Sequence, residues 1–229
     1  MHLPQSYVDS QPLVGFTLAA DIGQSHDYSA FVILESHLPA RHPTGSRRQW
    51  RHDVRHVERV RDLPYPRVID RIRNLRERLD AERGQRLRSI PTRVVIDATG
   101  VGKPILDALQ DARVPDVTGV IITAGDSVTP GVGVTRVPKR VLVTGLQLAL
   151  QQDRLRVADA LPFASVLRHE LRGFRVAQTS TGHERFGNDV ASWREAEHDD
   201  LVLAVALGVW RAEAGRPLTS SERRAIALW

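Results

Sequence analysis

Apolar residues in this sequence occur in short runs whose periods separate strands from helices. Residues 16–22 and 29–35 are apolar runs on either side of the turn sequence Gly-Gln-Ser-His-Asp, so they predict two paired strands. Weak alternation over residues 50–60 predicts an exposed third strand. The β-branched run at residues 93–97, flanked by proline and glycine, predicts a buried strand. Further strands are predicted at residues 117–123, 154–157 and 174–178.

Longer apolar periods predict the helices. Val68, Ile72, Leu75 and Leu79 recur at helical spacing with arginines between them. Proline at a helix start predicts two more helices, one near Pro104 and one from Pro138 to about residue 150. Residues 163–171 predict another helix, and residues 201–210, apolar almost all round, predict a buried one.

This order of elements predicts an α/β fold with a mixed sheet. Three strands in a meander come first and β-α-β units follow, so helices should cover both faces of the sheet. We expect one domain over residues 13–212, an N-terminal tail over residues 1–12 and a C-terminal tail over residues 213–229. Residues 37–50 and 179–188 are predicted to be a loop and a flexible loop or hairpin tip.

Composition restricts which residue types can bind a metal and indicates the cellular location. The 229 residues include no cysteine, which excludes disulfides and thiolate ligands and leaves carboxylates and nine histidines. No run of about 18 apolar residues occurs, so no membrane span is expected. The first twelve residues lack the apolar stretch of a signal peptide. These features favour a cytoplasmic location.

The charge balance favours a polyanionic partner. The net charge is +5, and arginine supplies nearly all of the positive charge, because lysine occurs only at Lys103 and Lys139. Arginine forks bind phosphate well. The candidate DNA-binding residues are Arg47, Arg48, Arg71, Lys103 and Lys139. The alternative interpretation is a coding bias toward arginine and a solvated surface.

Acidic residues lie where three predicted elements end or begin. Asp21 and Asp97 each end an apolar strand, and Asp199 and Asp200 precede the apolar helix. Asp27 follows Asp21 after a turn. Carboxylates at buried strand ends are costly unless a cation or hydrogen bonds compensate them, so a hard-cation site is predicted. Taken one at a time, each of these acidic residues can also be explained structurally, as a turn cap or a helix N-cap.

Three further residues are weaker candidates for a functional role. The sequence Asp-Ala-Thr-Gly-Val-Gly-Lys-Pro around Lys103 is not a P-loop, because Asp97 replaces the first glycine and Pro104 the serine or threonine. Lys103 can still meet a phosphate at a helix N-terminus. His198 is a candidate metal ligand or proton shuttle, and His183 a candidate neighbour of the active site. A structural role is the alternative interpretation for His198.

Together these motifs resemble the nuclease domain of phage large terminase subunits. The matching segments are Ala-Asp-Ile-Gly at Asp21, Ile-Asp-Ala-Thr-Gly-Val-Gly at Asp97, and His-Asp-Asp-Leu-Val-Leu-Ala from His198. The lead-in at residues 193–197 is also similar. The resemblance covers about residues 14–212 and implies an RNase H-like fold, with the sheet flanked by helices on both faces.

The resemblance implies an endonuclease that cuts concatemeric viral DNA during packaging, with two Mg²⁺ or Mn²⁺ ions. Asp21, Asp97 and Asp200 would be the catalytic metal ligands, with Asp199 and Asp27 as further ligands. Double-stranded DNA would be the substrate, and a packaging ATPase domain or subunit, the portal and the small terminase the partners. The chain has no Walker A motif, so we expect an isolated nuclease domain, a split-gene product or a prophage relative.

Other function classes share parts of this pattern. A Holliday-junction resolvase of the RuvC type has the same acidic cluster but cuts four-way junctions. An actin-like or sugar-kinase-like ATPase also begins a phosphate loop with Asp-x-Gly, as in Asp21-Ile22-Gly23, but does not require the late Asp-Asp pair. A DNA-binding module without catalysis would not need the intact carboxylate set.

Overall fold

Ten strands and five helices form the part of the chain that the structure, a computed structural model, describes: residues 13–23, 27–38, 50–83, 87, 89–173, 175–178, 184–187 and 199–214. The strands are β1 (Leu13–Asp21), β2 (Tyr28–His37), β3 (Arg51–Arg61), β4 (Thr92–Asp97), β5 (Val117–Thr123), β6 (Thr129–Pro130), β7 (Val134–Pro138), β8 (Leu155–Val157), β9 (Arg175–Gln178) and β10 (Glu184–Gly187). The helices are α1 (Tyr65–Arg83), α2 (Gly102–Asp111), α3 (Lys139–Gln151), α4 (Ala164–Gly173) and α5 (Asp200–Glu213).

Eight of these strands form one mixed sheet in the order β6-β7-β5-β4-β1-β2-β3-β8. The antiparallel meander β1-β2-β3 makes one half, and β1 pairs in parallel with β4, which pairs in parallel with β5. β9 and β10 form a separate antiparallel hairpin. The predicted mixed α/β sheet is therefore confirmed.

Each face of the sheet packs against its own set of helices. On one face, Leu18 and Ile96 join a core with Ile72 of α1 and Leu106 of α2. On the other face, Ala19 joins a second core with residues of α3, α4 and α5. Because successive side chains of a strand point to opposite faces, one strand can serve both cores. Central strands buried on both faces explain the continuous apolar runs of the sequence.

Helix α5 lies very close to the sheet, because Gly208 faces it. A Cβ at this position would stand 2.8 Å from Leu34 Cδ1 and 3.3 Å from Ala19 Cβ. Most residues of α5 are buried, as the all-round apolar pattern predicted. Replacing Gly208 would push the helix away from β1 and β2, and with it any residue that the helix positions.

Some sequence predictions of local structure need correction. Residues 129–138 hold the short strands β6 and β7, which the sequence did not predict, and Pro138 ends β7 as the N-cap of α3. The hairpin tip predicted over residues 179–188 includes β10, while residues 179–183 lie outside the described part. So do the N-terminal tail, most of the loop predicted at residues 37–50, and residues 215–229 of the C-terminal tail. Among the described residues, no helix has the length and apolar content needed to cross a bilayer.

Candidate active site

The first two predicted acidic residues end neighbouring parallel strands. Ala20 on β1 is paired with Ile96 on β4, so Asp21 and Asp97 follow side by side at one edge of the sheet. Ala19 and Val95, two positions earlier, belong to the core beneath α5. Because alternate residues share a face, Asp21 and Asp97 also point to the α5 face.

The loop after β4 holds Asp97 firmly. The Thr99 N–H donates to Asp97 Oδ1 at 2.7 Å, and Thr99 Oγ1 accepts from the Ile122 N–H at 2.9 Å. Gly100 has a φ of +62°, which favours glycine. A Cβ on Gly102 would stand 1.7 Å from the Asp97 carbonyl oxygen, so only glycine fits there. The two glycines therefore make the tight strand-to-helix turn that the sequence indicated.

The acidic pair stands at the start of α5. Asp199 is the N-cap residue, although its side chain makes no capping hydrogen bond, and Asp200 is the first helical residue. Helix α5 packs across β1, β2 and β4, and its first turn is close enough to Asp21 for the charges of Asp199 and Asp200 to raise the pKa of Asp21. The fold thus brings these four carboxylates into one electrostatic cluster, called here the acidic cluster.

The pKa values of Asp21 and Asp97 are both raised, chiefly by burial. Burial raises the pKa of Asp21 well above its usual value, and the negative charges of Asp97, Asp200 and Asp199 raise it further. Burial also raises the pKa of Asp97, although its hydrogen bonds to Thr99 and the charge of Lys139 work in the opposite direction. A metal-free cluster of this kind is destabilised by its own charge, and added cations would relieve it.

Two cationic side chains already pair with the cluster. Lys139 Nζ, in the first turn of α3, lies 3.6 Å from Asp199 Oδ2 and lowers the pKa of both Asp21 and Asp97. Arg59 Nη2, on β3, donates to Asp200 Oδ2 at 3.2 Å. Lys139, a predicted DNA-binding residue, therefore lies at the acidic cluster itself.

A fifth carboxylate, Glu170 on α4, borders the cluster and was not among the residues predicted from the sequence. Its side chain accepts the N–H groups of Leu201 and Val202, and Arg59 donates to it. Burial raises the pKa of Glu170 to about 7, and Asp200 contributes to the rise. A sequence signal does exist, because Glu170 lies three residues after Leu167, on the buried side of α4.

The donor set suits a hard divalent cation. Carboxylate oxygens are the ligands that Mg²⁺ and Mn²⁺ take, and burial together with three neighbouring negative charges raises the pKa of Asp21. Within the described residues, however, no three acidic or histidine side chains converge closely enough to share one ion. Asp199 and Asp200 are instead directed to Lys139 and Arg59. The residues fit a metal chemically, and ligation would require those two carboxylates to turn toward Asp21 and Asp97.

The remaining predicted site residues lie apart from this cluster or beyond the described residues. Asp27 is exposed just before β2, and its charge is not among those that shift the pKa of Asp21. Arg71 Nε donates to Glu58 at 2.9 Å, and Lys103 forms an exposed ion pair with Asp107. Four predicted residues lie outside the described part of the chain: Arg47, Arg48, His183 and His198.

Comparisons with solved structures identify the fold. The large terminase nuclease of thermophilic phage G20c with bound magnesium superposes with a TM-score of 0.55 and 23% identity, covering 90% of this chain and 85% of that one. The large terminase nuclease domain of Thermus phage P74-26 gives a TM-score of 0.55 and 20% identity, covering 94% and 87%. The nuclease domain of the bacteriophage SPP1 large terminase with bound Mn gives 0.50 and 14%, covering 86% of each chain.

Similarity to known proteins is detected in the backbone structure but not in the sequence alone. No protein-family model matches it, and no curated protein is significantly similar. At the identities observed, the structural matches establish the fold, which is the RNase H-like fold of large terminase nuclease domains. The fold expected from the three acidic motifs is thereby confirmed.

Proposed function

We propose that this protein is a metal-dependent DNA endonuclease of the terminase type, which cuts viral DNA during genome packaging. The observation that carries the proposal is the acidic cluster, in which Asp21 feels the charges of Asp97, Asp200 and Asp199. Asp97, Asp199 and Asp200 each have a donor or a cation beside them, but Asp21 is buried where the charges of the other three raise its pKa, which is costly for a carboxylate with a purely structural role. The shared fold with terminase nucleases that carry bound magnesium or Mn supports the same conclusion.

In this proposal Asp21, Asp97 and Asp200 hold two Mg²⁺ or Mn²⁺ ions, with Asp199 as a further ligand. When bound, such ions polarise the scissile phosphate and lower the pKa of the attacking water. The chain's own part is to fix the ligands. The Thr99 N–H orients Oδ1 of Asp97, and the packing of α5 sets how far Asp200 lies from Asp21.

Lys139 has a second role in the proposal, as a phosphate contact. It is partly exposed beside Asp199, so DNA that reaches the acidic cluster also reaches its ammonium group. A metal bound by the carboxylates would take over the neutralisation that Lys139 now supplies, and would leave that ammonium group free to pair with the scissile phosphate. Lys139 would then bind DNA at the point of cleavage.

The exposed arginines of α1 occupy a different place. Arg67, Arg73 and Arg78 are exposed on a helix that packs on the face of the sheet opposite α5. They can attract DNA over a distance through the positive charge of that surface, but only an approach around the sheet edge brings DNA from them to the acidic cluster. We propose double-stranded DNA as the substrate, and a packaging ATPase, the portal and the small terminase as partners on the basis of the fold alone.

The deciding experiment is cleavage of plasmid DNA by the purified protein with Mg²⁺, Mn²⁺, Ca²⁺ or EDTA. We expect cleavage with Mg²⁺ and Mn²⁺, little with Ca²⁺ because its looser coordination positions water poorly, and none with EDTA. Asp21→Asn should be inactive, whereas Asp159→Asn, at an exposed position paired with Arg168, should cut like the wild type.

Two further substrates separate the alternatives. Faster cleavage of a four-way junction than of a linear duplex would favour a resolvase, and ATP hydrolysis without DNA cleavage would favour a kinase-like ATPase. Undiminished cleavage in EDTA, or by Asp21→Asn, would contradict the metal mechanism.

A further inference from the structure

The N-terminus of α5 is capped by a residue of another helix. Asp199, the N-cap residue, makes no side-chain capping bond. Instead Glu170 Oε2, from α4, accepts the N–H groups of Leu201 at 3.1 Å and Val202 at 3.2 Å. Glu170 thereby satisfies two of the backbone donors that the first turn of a helix leaves without partners. The contact ties α4 to the turn that carries Asp200.

Arg59 connects this cap to the acidic cluster. Its guanidinium donates through Nη1 to Glu170 Oε1 at 3.4 Å and through Nη2 to Asp200 Oδ2 at 3.2 Å. The guanidinium carbon also lies 3.8 Å from the centroid of the Tyr28 ring, which supports it from another side. One planar fork thus holds two carboxylates at fixed positions, as arginine does better than lysine.

Burying the charged group of Glu170 costs free energy, which is unusual for a contact with a purely structural role. Glu170 is only 2% exposed, and the aliphatic residues Leu167 and Val166 pack in the same core. Replacing a buried ion pair by apolar residues is often neutral or stabilising, so stability alone does not explain the pairing with Arg59. Capping the two N–H groups explains an acceptor at this position, and a requirement to fix Asp200 explains why the acceptor also holds Arg59.

We propose that Glu170 and Arg59 are positioning residues for the metal ligand Asp200. Glu170 holds the backbone of the first turn of α5, and Arg59 holds one carboxylate oxygen of Asp200, so the two residues together set the position from which Asp200 turns toward Asp21 to ligate a metal. This inference rests on the proposed metal-dependent function. Neither residue needs to touch the metal, because groups that orient ligands set metal affinity through them.

The charge of Glu170 also matters to Arg59. Glu170 and Asp200 hold the same guanidinium from two sides. Removing the charge of Glu170 weakens one of these two bonds, so Arg59 should fix Asp200 less firmly and the metal affinity should fall. Glu170→Gln keeps an oxygen that can accept the two N–H groups and removes only the charge.

The experiment measures Mn²⁺ binding by titration calorimetry and the Mn²⁺ concentration that gives half-maximal cleavage, above the Glu170 pKa of about 7. Glu170→Gln and Arg59→Lys should each weaken Mn²⁺ binding by about 10- to 100-fold, the range for groups that orient metal ligands. Excess Mn²⁺ should restore most of the cleavage in these variants. It should not restore cleavage in Asp200→Asn, which loses the ligand itself.

Glu35→Gln is the matched control. Glu35 on β2 also pairs with an arginine of β3, Arg55, at 2.5 Å, but it lies away from the acidic cluster. It should lower the melting temperature without moving the Mn²⁺ midpoint. A Glu170→Gln midpoint equal to that of Glu35→Gln would overturn the positioning role, while a wild-type protein that neither binds Mn²⁺ nor cuts DNA would overturn the proposed function instead.

Discussion

The two ends of helix α5 meet the same strand through charged residues, yet their charges are balanced very differently. Strand β3 supplies His52 to the C-terminal end of the helix and Arg59 to the N-terminal end. At the C-terminal end, Glu213 Oε1 lies 3.2 Å from His52 Nε2 and accepts from Arg154 Nη1 at 2.5 Å. His52 is fully buried and also bonds Ser36 Oγ at 2.9 Å.

At the N-terminal end, most of the charges that act on Asp21 are negative. Within the described residues, Asp97, Asp199 and Asp200 raise its pKa and Lys139 lowers it. Burial and mutual repulsion raise the pKa of Asp21 well above its usual value as a result. Burial of charge therefore does not by itself mark a functional site. An excess of one sign does, because it creates an affinity for a ligand of the opposite sign.

The largest effect is expected from Asp97→Asn. The change keeps the side chain's shape and its bond to the Thr99 N–H but removes a charge that a hard cation needs. Cleavage should fall roughly 1,000-fold or more, the order of loss on removing a group that stabilises charge in the transition state. The metal-free protein should melt at the same or a higher temperature, because Asp97 no longer repels Asp21.

Differential scanning fluorimetry with and without Mn²⁺ provides the check. Bound ligand stabilises the folded state, so Mn²⁺ should raise the melting temperature of the wild type more than that of Asp97→Asn. An Asn variant that cuts DNA normally would remove Asp97 from the mechanism and leave it as a turn residue.

The second effect concerns the only two lysines of the chain. Both lie in the first turn of a helix that follows a strand, but Lys139 pairs with Asp199 in the acidic cluster and Lys103 with exposed Asp107. Lys139→Met should slow cleavage roughly 100-fold, the lower end for loss of one preorganised donor. Lys103→Met should change it by less than about threefold, because exposed pairs contribute little. Equal rates in single-turnover assays of the two variants would show that Lys139 is only a counter-ion of the carboxylates.

Much of this comparison could be foreseen from the sequence. Asp21 and Asp97 were expected together because each ends an apolar run, and ends of parallel strands meet at one edge of a sheet. The all-round apolar character of residues 201–210 predicted a buried helix, which places the preceding acidic pair near the sheet. Local pattern and chain topology were sufficient for these residues.

The residues that the sequence did not reveal depend on contacts between distant segments. Arg59 and Glu170 are 111 positions apart, and nothing in the local pattern of either says that they share Asp200. Strands β6 and β7 were missed because one has two residues and the other ends at a proline that reads as a helix start. Their pairing is set by the neighbouring β5 rather than by their own composition.

The third effect is a pH dependence of the metal-free protein. Glu170 has its pKa raised to about 7, and the pKa values of Asp21 and Asp97 are also raised. Between the ordinary carboxyl value and the raised one, the folded state holds protons that the unfolded state has released. Stability should therefore fall as pH rises from about 4.5 to about 7. Urea unfolding across this range, with EDTA present, measures the slope, and saturating Mn²⁺ should reduce it.

The smallest effect is expected at the balanced end of α5, from the same chemical change as in Asp97→Asn. Glu213→Gln keeps an oxygen that can accept from Arg154 and His52 but removes the charge that strengthens both bonds. The free energy of unfolding should drop by about 1 kcal/mol, the scale of one hydrogen bond, with no change in cleavage rate or Mn²⁺ affinity. Neutralising one acid should thus stabilise the protein at the N-terminal end of α5 and destabilise it at the C-terminal end. If urea unfolding gives both substitutions the same sign, the excess of negative charge does not distinguish the two ends, and the electrostatic argument for a cation site fails.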